Sequence, residues 1–171
     1  MPESLRTRLQ RYGFNLFPAY RGTGARVAFI AHDWREVRVE LPLSRRTRNY
    51  VGTIFGGSMY GAVDPVYMLM LIRCLGAGHV VWDKAATIRF LRPGRSTLRA
   101  TFRLPVEETD AIRGALETER SVDRVYRVEL VDGQGTVCAE VEKTVYVRRR
   151  AGGGGGGAGA LTVSGAARAR S

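Results

Sequence analysis

Between Asn49 and Trp82 the chain carries three features that narrow the folds open to it. Gly56-Gly57-Ser58 opens an apolar run that reaches Leu75, enough for a helix of about five turns over 57–75. The run is apolar almost all round, so other elements have to cover it. One carboxylate, Asp64, sits two turns inside, where a charge is costly unless it is paired or used. Pro65 follows at once. It cannot donate to the carbonyl of Gly61 and its ring crowds that turn, so a kink is expected beside Asp64.

The rest of the chain reads as strands with two short helices. Leu5 and Leu9 at helical spacing predict an N-terminal helix over 3–12, ending before Phe17-Pro18. Residues 25–31 and 35–41 read as strands. In the second, Val37, Val39 and Leu41 alternate with Glu36, Arg38 and Glu40, the pattern of a half-exposed sheet. Residues 44–53 form a polar loop. Strands follow at 79–91, 96–105, 121–131 and 135–148, with a short helix at about 107–118 marked by Ile112 and Leu116. Pro93-Gly94 and Asp132-Gly133 supply turns. A helix set before a run of antiparallel strands predicts an α+β fold: a long central helix wrapped by a curved antiparallel sheet of five to six strands.

A single domain over 1–148 fits the length, and a hydrophobic content of 44% supports a core. Residues 149–171 include six consecutive glycines and an Ala/Gly/Arg mix that cannot bury a core, so a disordered tail is expected there. Met1-Pro2-Glu3 leads straight into Arg6, Arg8 and Arg11, so no secretory leader is expected. No apolar run is long enough to span a membrane. A cytoplasmic protein follows. Cys74 and Cys138 form no motif and read as reduced thiols. Neither a metal nor another cofactor is implied. His32 and His79 sit in no catalytic spacing.

The net charge is +11, and 25 of the 27 cations are Arg. Most of these read as solvated residues on strand faces. The charge alone motivates nucleic-acid binding, but no stacking motif or basic helix accompanies it, so no specific nucleic-acid partner is expected.

The stretch from Asn49, through Gly52-Thr53-Ile54-Phe55-Gly56-Gly57-Ser58 and Asp64-Pro65, to Val81-Trp82-Asp83-Lys84, with Phe90-Leu91-Arg92-Pro93-Gly94-Arg95 and Lys143, resembles the DUF4442 branch of the hotdog-fold superfamily. It is also similar to phenylacetate-type acyl-CoA thioesterases of that superfamily. The likeness runs from roughly Leu5 to Arg148. It implies a hotdog fold, at least a homodimer, and hydrolysis of an acyl thioester of CoA or carrier protein at a subunit interface. In the resembling enzymes an acid at the position of Asp64 acts as general base or nucleophile. The N–H of the residue matching Gly57 holds the carbonyl oxygen. Asn49, Phe55, Gly56, Ser58 and Tyr60 are the candidate substrate-binding residues. Phe55 is a departure, because the resembling enzymes carry His there and Phe has no hydrogen bond to donate. Two readings therefore stand side by side: a thioesterase, or a non-catalytic hotdog protein that binds acyl-CoA or acyl chains.

The two lysines add a further expectation. By alternation Lys84 shares a face with Val80, Trp82, Ala86, Ile88 and Phe90, and Lys143 with Val137, Ala139, Val141, Val145 and Val147. Both then point to apolar faces, where an ammonium needs a carboxylate or loses its proton. Lys84 or Lys143 is expected to pair with Asp64, Asp83 or a glutamate and to keep Asp64 ionised. The alternative is snorkelling to the sheet edge.

Overall fold

The computed structural model describes residues 2–150. Residues 151–171, on which most of the expected tail falls, lie outside the described residues. The chain begins with α1 (Leu5–Leu16), α2 (Pro18–Gly22), β1 (Arg26–Ile30) and β2 (Glu36–Leu41). The apolar run forms α3 (Gly56–Val63) and α4 (Val66–Leu75). Then come β3 (His79–Phe90), β4 (Leu98–Arg103), α5 (Val106–Thr118), β5 (Ser121–Val131) and β6 (Val137–Arg149). The strands make one antiparallel six-stranded sheet in the order β1-β2-β4-β5-β6-β3. This is the hotdog architecture expected from the sequence.

Each element has a local cause. Ser4 and Thr7 close a capping box at the start of α1. Pro18 opens α2 from the first turn, where a missing N–H is harmless. Gly76 ends α4 at φ 83°, a conformation that only glycine adopts without strain. The expected break falls at Asp64-Pro65, dividing the long helix into α3 and α4.

The core lies between the broken helix and the inner face of the sheet. Met59, Val63, Met70 and Leu71 of the helices are buried there with Val39, Leu41, Phe102, Leu130, Val141 and Val145 of the strands. The outer face is a lattice of exposed ion pairs, among them Glu40 with Arg26 and Arg99, and Arg127 with Glu142. Much of the arginine excess is thus solvated strand surface, and such pairs add little stability.

The two edges of the sheet are treated differently. At β1, Asn15 of α1 accepts from the Val27 N–H at 2.7 Å and donates to the Val27 carbonyl at 2.9 Å, so a side chain covers the edge. At the other end no described residue pairs with the outer edge of β3. The spacing of Leu5 and Leu9 predicts α1, yet these side chains face outward at 80% and 71% exposure. Phe14, Asn15 and Thr7 hold α1 to the domain instead.

Helix α5 is tied to the sheet by Glu108, which accepts from Arg124 Nε at 2.8 Å, Arg124 Nη2 at 2.5 Å and the Tyr126 hydroxyl at 2.8 Å. The Arg124 guanidinium holds this carboxyl below its ordinary value of 4.5, against the opposing effect of burial. The tether therefore stabilises the fold fully above that ordinary value and is lost as pH falls through the lower folded value. Thermal melts of wild type and Glu108→Gln should differ by about 1 kcal/mol at neutral pH and converge on acidification. A gap that persists unchanged into strong acid would refute the assignment.

Candidate active site

Helix α3 starts without a side-chain cap. Phe55 is its N-cap, and no side chain accepts from the first-turn N–H groups. These groups carry the partial positive charge of a helix start and suit a carbonyl oxygen or an anion. The turn borders a cleft of about 420 Å³ lined in part by Asn49, Gly56, Met59, Phe90 and Arg92. At both glycines an aromatic ring lies close against the backbone. A Cβ on Gly57 would lie 2.3 Å from the Phe55 ring, and one on Gly56 would lie 2.8 Å from the Phe90 ring.

Asn49 lines the cleft, but its polar atoms serve the loop. Its Oδ1 accepts from the Val51 and Thr53 N–H groups, and its Nδ2 donates to Thr53 Oγ1 at 2.9 Å. It is an Asx-type brace that fixes the approach to Phe55. Ser58 is buried, Phe55 is 57% exposed, and Tyr60 is half-buried beside Asp64. Burial first, and then the Asp64 carboxylate, push the Tyr60 hydroxyl well above the usual phenol range.

Lys143 is fully buried on β6 and binds two carboxylates. Its Nζ donates to Asp64 Oδ1 at 2.8 Å and to Asp83 Oδ2 at 2.7 Å. The third partner is the backbone carbonyl of Asp64, at the break that Pro65 imposes on the helix. All three protons of the ammonium are thereby accounted for. The Asp64 side chain remains 41% exposed, so Lys143 grips one face of it while the rest meets solvent and an apolar cavity. Asp83 is deeper, and burial raises its carboxyl above the ordinary value of 3.8 while Lys143 pulls the other way. Its Oδ1 is buried without a hydrogen-bond partner.

Lys84 does not belong to this cluster, which corrects the expectation from alternation. A β-bulge between Asp83 and Ala85 adds one residue to β3 against β6. Before the bulge Asp83 pairs with Val145 and faces the core, while Trp82 stacks on Tyr146 at 4.8 Å on the outer face. After it Ala86 pairs with Lys143. The extra residue restores the inward phase for Asp83 and leaves Lys84 on the outside, where it meets Asp123 at 2.6 Å. Strict alternation carried through residue 84 therefore puts the wrong residues inward.

Gly57 and Asp64 lie seven residues apart on one helix, roughly 10 Å of rise. One chain cannot bring both to within hydrogen-bond reach of the same carbonyl. Among the described residues no cluster of three or more His, Cys, Asp or Glu stands ready to hold a metal.

A family profile described as Domain of unknown function (DUF4442) matches residues 6–147. The chain belongs to the DUF4442 family. Its fold is similar to that of a Pseudomonas aeruginosa protein of unknown function described as a "Probable Thioesterase", with a TM-score of 0.75 at 22% identity, covering 88% of this chain and 99% of that one. It is also similar to a thioesterase from Haemophilus influenzae, at TM-score 0.62 and 17% identity over 87% of this chain and 93% of that one. A mutant thioesterase from Pseudomonas aeruginosa gives TM-score 0.63 and 16% identity over 83% and 94%. No curated protein matches the sequence. At these identities the likeness concerns the fold.

Arg92 belongs to a motif noted in the sequence, but its place beside the Gly-Gly cleft was not legible there, nor was that of Phe14 and Phe17 beside Asp64. Both arise from elements far apart in the chain. The Lys143 cluster generates a stability prediction. Lys143→Met would leave two carboxylates facing each other without their cation and should cost about 3–5 kcal/mol in urea unfolding. Adding Asp83→Asn should return part of that loss. Equal losses in the single and double variants would show that the two groups are not coupled.

Proposed function

We propose that this protein is a thioester hydrolase, acting on an acyl-CoA or acyl-carrier-protein substrate with Asp64 as general base. The observation that carries the reading is the state of Asp64. One oxygen is fixed by a buried lysine, while the side chain remains accessible at the mouth of an apolar cavity. A held, accessible carboxylate next to apolar space is what proton abstraction from a water needs. The carboxylate takes a proton from water as the hydroxide equivalent bonds to the thioester carbon. The tetrahedral oxyanion is received by the Gly57 N–H at the uncapped start of α3. The carbon–sulfur bond then breaks, the proton returns to the leaving thiolate, and a carboxylic acid and a thiol depart.

Since Gly57 and Asp64 cannot meet one carbonyl within a single chain, the reading calls for a homodimer in which each site takes Gly57 from one copy and Asp64 from the other. The uncovered edge of β3, with Trp82, Phe90 and Leu91 exposed along it and at its end, is the surface we assign to that pairing. Arg92, in the cleft beside Gly56, is placed to receive a phosphate of CoA. The likeness to described thioesterases supports the reaction class.

A second reading, an acyl-CoA binder without turnover, is favoured by Phe55. Its ring lies against Gly57 and offers no donor where the resembling enzymes have His. Hydrolysis of a panel of short, long and aromatic acyl-CoAs separates the two. Asp64→Asn is expected to lower kcat by roughly 10²–10⁴-fold with the assembly intact. Wild-type turnover that Asp64→Asn leaves untouched would remove Asp64 from the chemistry. Tight binding with no turnover on any substrate would make the second reading the correct one.

A further inference from the structure

We infer that the cavity between the N-terminal helices and the helix break is the acyl-chain pocket, and that it takes a linear, saturated, medium-length acyl group. The inference rests on the thioester reading for one point only, that the carbonyl sits at Asp64.

The cavity holds about 460 Å³, within the range of small-molecule sites. Phe14, Phe17, Tyr20, Met68 and Leu69 line it, and Asp64 is its one charged lining residue. A chain entering with its carbonyl at Asp64 would therefore meet hydrocarbon beyond it. The walls are fixed. The Tyr20 hydroxyl donates to the Ala62 carbonyl at 3.0 Å, which pins α2 to α3. Phe14 meets Tyr20 edge-on at 4.4 Å between centroids. At one end α2 and α3 approach so closely that a Cβ on Gly61 would fall 2.7 Å from Thr23 Cγ2.

The length of the pocket sets the class of ligand. From Asp64, where the carbonyl sits, to Leu69 the helical wall rises roughly 7.5 Å. An extended chain advances roughly 1.3 Å per carbon, so about six carbons fill it. The hydroxyls of Tyr20 and Thr23, the neutral polar groups in this lining, are already bonded to backbone, so a carboxylated or hydroxylated acyl end would be poorly compensated for its lost hydration. Among the lining residues Phe17 is 62% exposed, apolar surface that the core of the domain does not explain. A bound chain would cover Phe17.

The test uses S-alkyl-CoA thioethers with straight chains of increasing length, which cannot be hydrolysed, titrated calorimetrically into the full-length protein. Affinities are read relative to unacylated CoA for each protein. For wild type the expected gain is about threefold per added methylene, levelling off near six carbons. Ala19→Trp places a large ring on an exposed wall residue of the cavity and should end the gain at short chains. Met68→Trp fills it from the opposite wall, and circular dichroism identifies either variant if it fails to fold. Wild-type affinity that does not depend on chain length overturns the pocket. So does an unchanged length profile in folded Ala19→Trp and Met68→Trp. Chain-length-dependent binding that the variants abolish, in a protein with no turnover, upholds the pocket and refutes the hydrolase reading. Turnover with length-independent binding does the reverse.

Discussion

A single buried ammonium organises this molecule. Lys143 joins the break in the central helix to β3, which it could not do through apolar contacts alone. A charge removed from water costs several kcal/mol, and the cost is offset only when every donor has a well-placed acceptor. Here two carboxylates and one backbone carbonyl meet that demand, and each comes from a special local feature. Pro65 breaks the helix where the carbonyl of Asp64 is taken up. The bulge in β3 turns Asp83 inward. The apolar alternation of β6 carries Lys143 beneath both. The cluster has a net charge of one negative unit when both carboxylates are ionised, and Asp64 is its solvent-facing member.

That arrangement gives the two carboxylates different surroundings. Asp83 is deep, its carboxyl pushed upward by burial, and it acts as ballast for the lysine. Asp64 is anchored on one side and open on the other. The bare helix start at Gly56-Gly57 is complementary to it in charge but remote from it along the same helix. Under the proposed reading, a site built from these two parts is shared between two copies of the chain. The sheet edge at β1 is covered by Asn15, while no described residue pairs with the outer edge of β3.

Much of this was legible in the sequence. The strand and helix boundaries fall within a few residues of the expected ones because the apolar periodicities are clean, as in β2 and β6. The helix break was legible from Pro65 and the inward Lys143 from alternation. Lys84 was not, because a bulge has no composition signature; a single added residue between Asp83 and Ala85 reverses the phase silently. The outward face of α1 was hidden for a different reason. Leu5 and Leu9 have the spacing of a buried stripe, and the contacts that hold the helix come from Asn15 and Phe14. Nor could the cavity beside Asp64 be read, since its walls come from α2 and α4, some fifty residues apart in the chain. The expected role of residues beyond 150 lies outside what the structure describes.

The sheet also divides mechanically. β4 and β5 are joined in register at Arg99 and Val131 alone, whereas β5, β6 and β3 are paired along most of their lengths. The three-strand half that carries Lys143 and Asp83 is therefore the most continuously paired part of the sheet. The half formed by β1, β2 and β4 joins it across a junction with little backbone pairing. That seam is where the two halves are least tied to one another, and Asp64 is held on the continuous side of it.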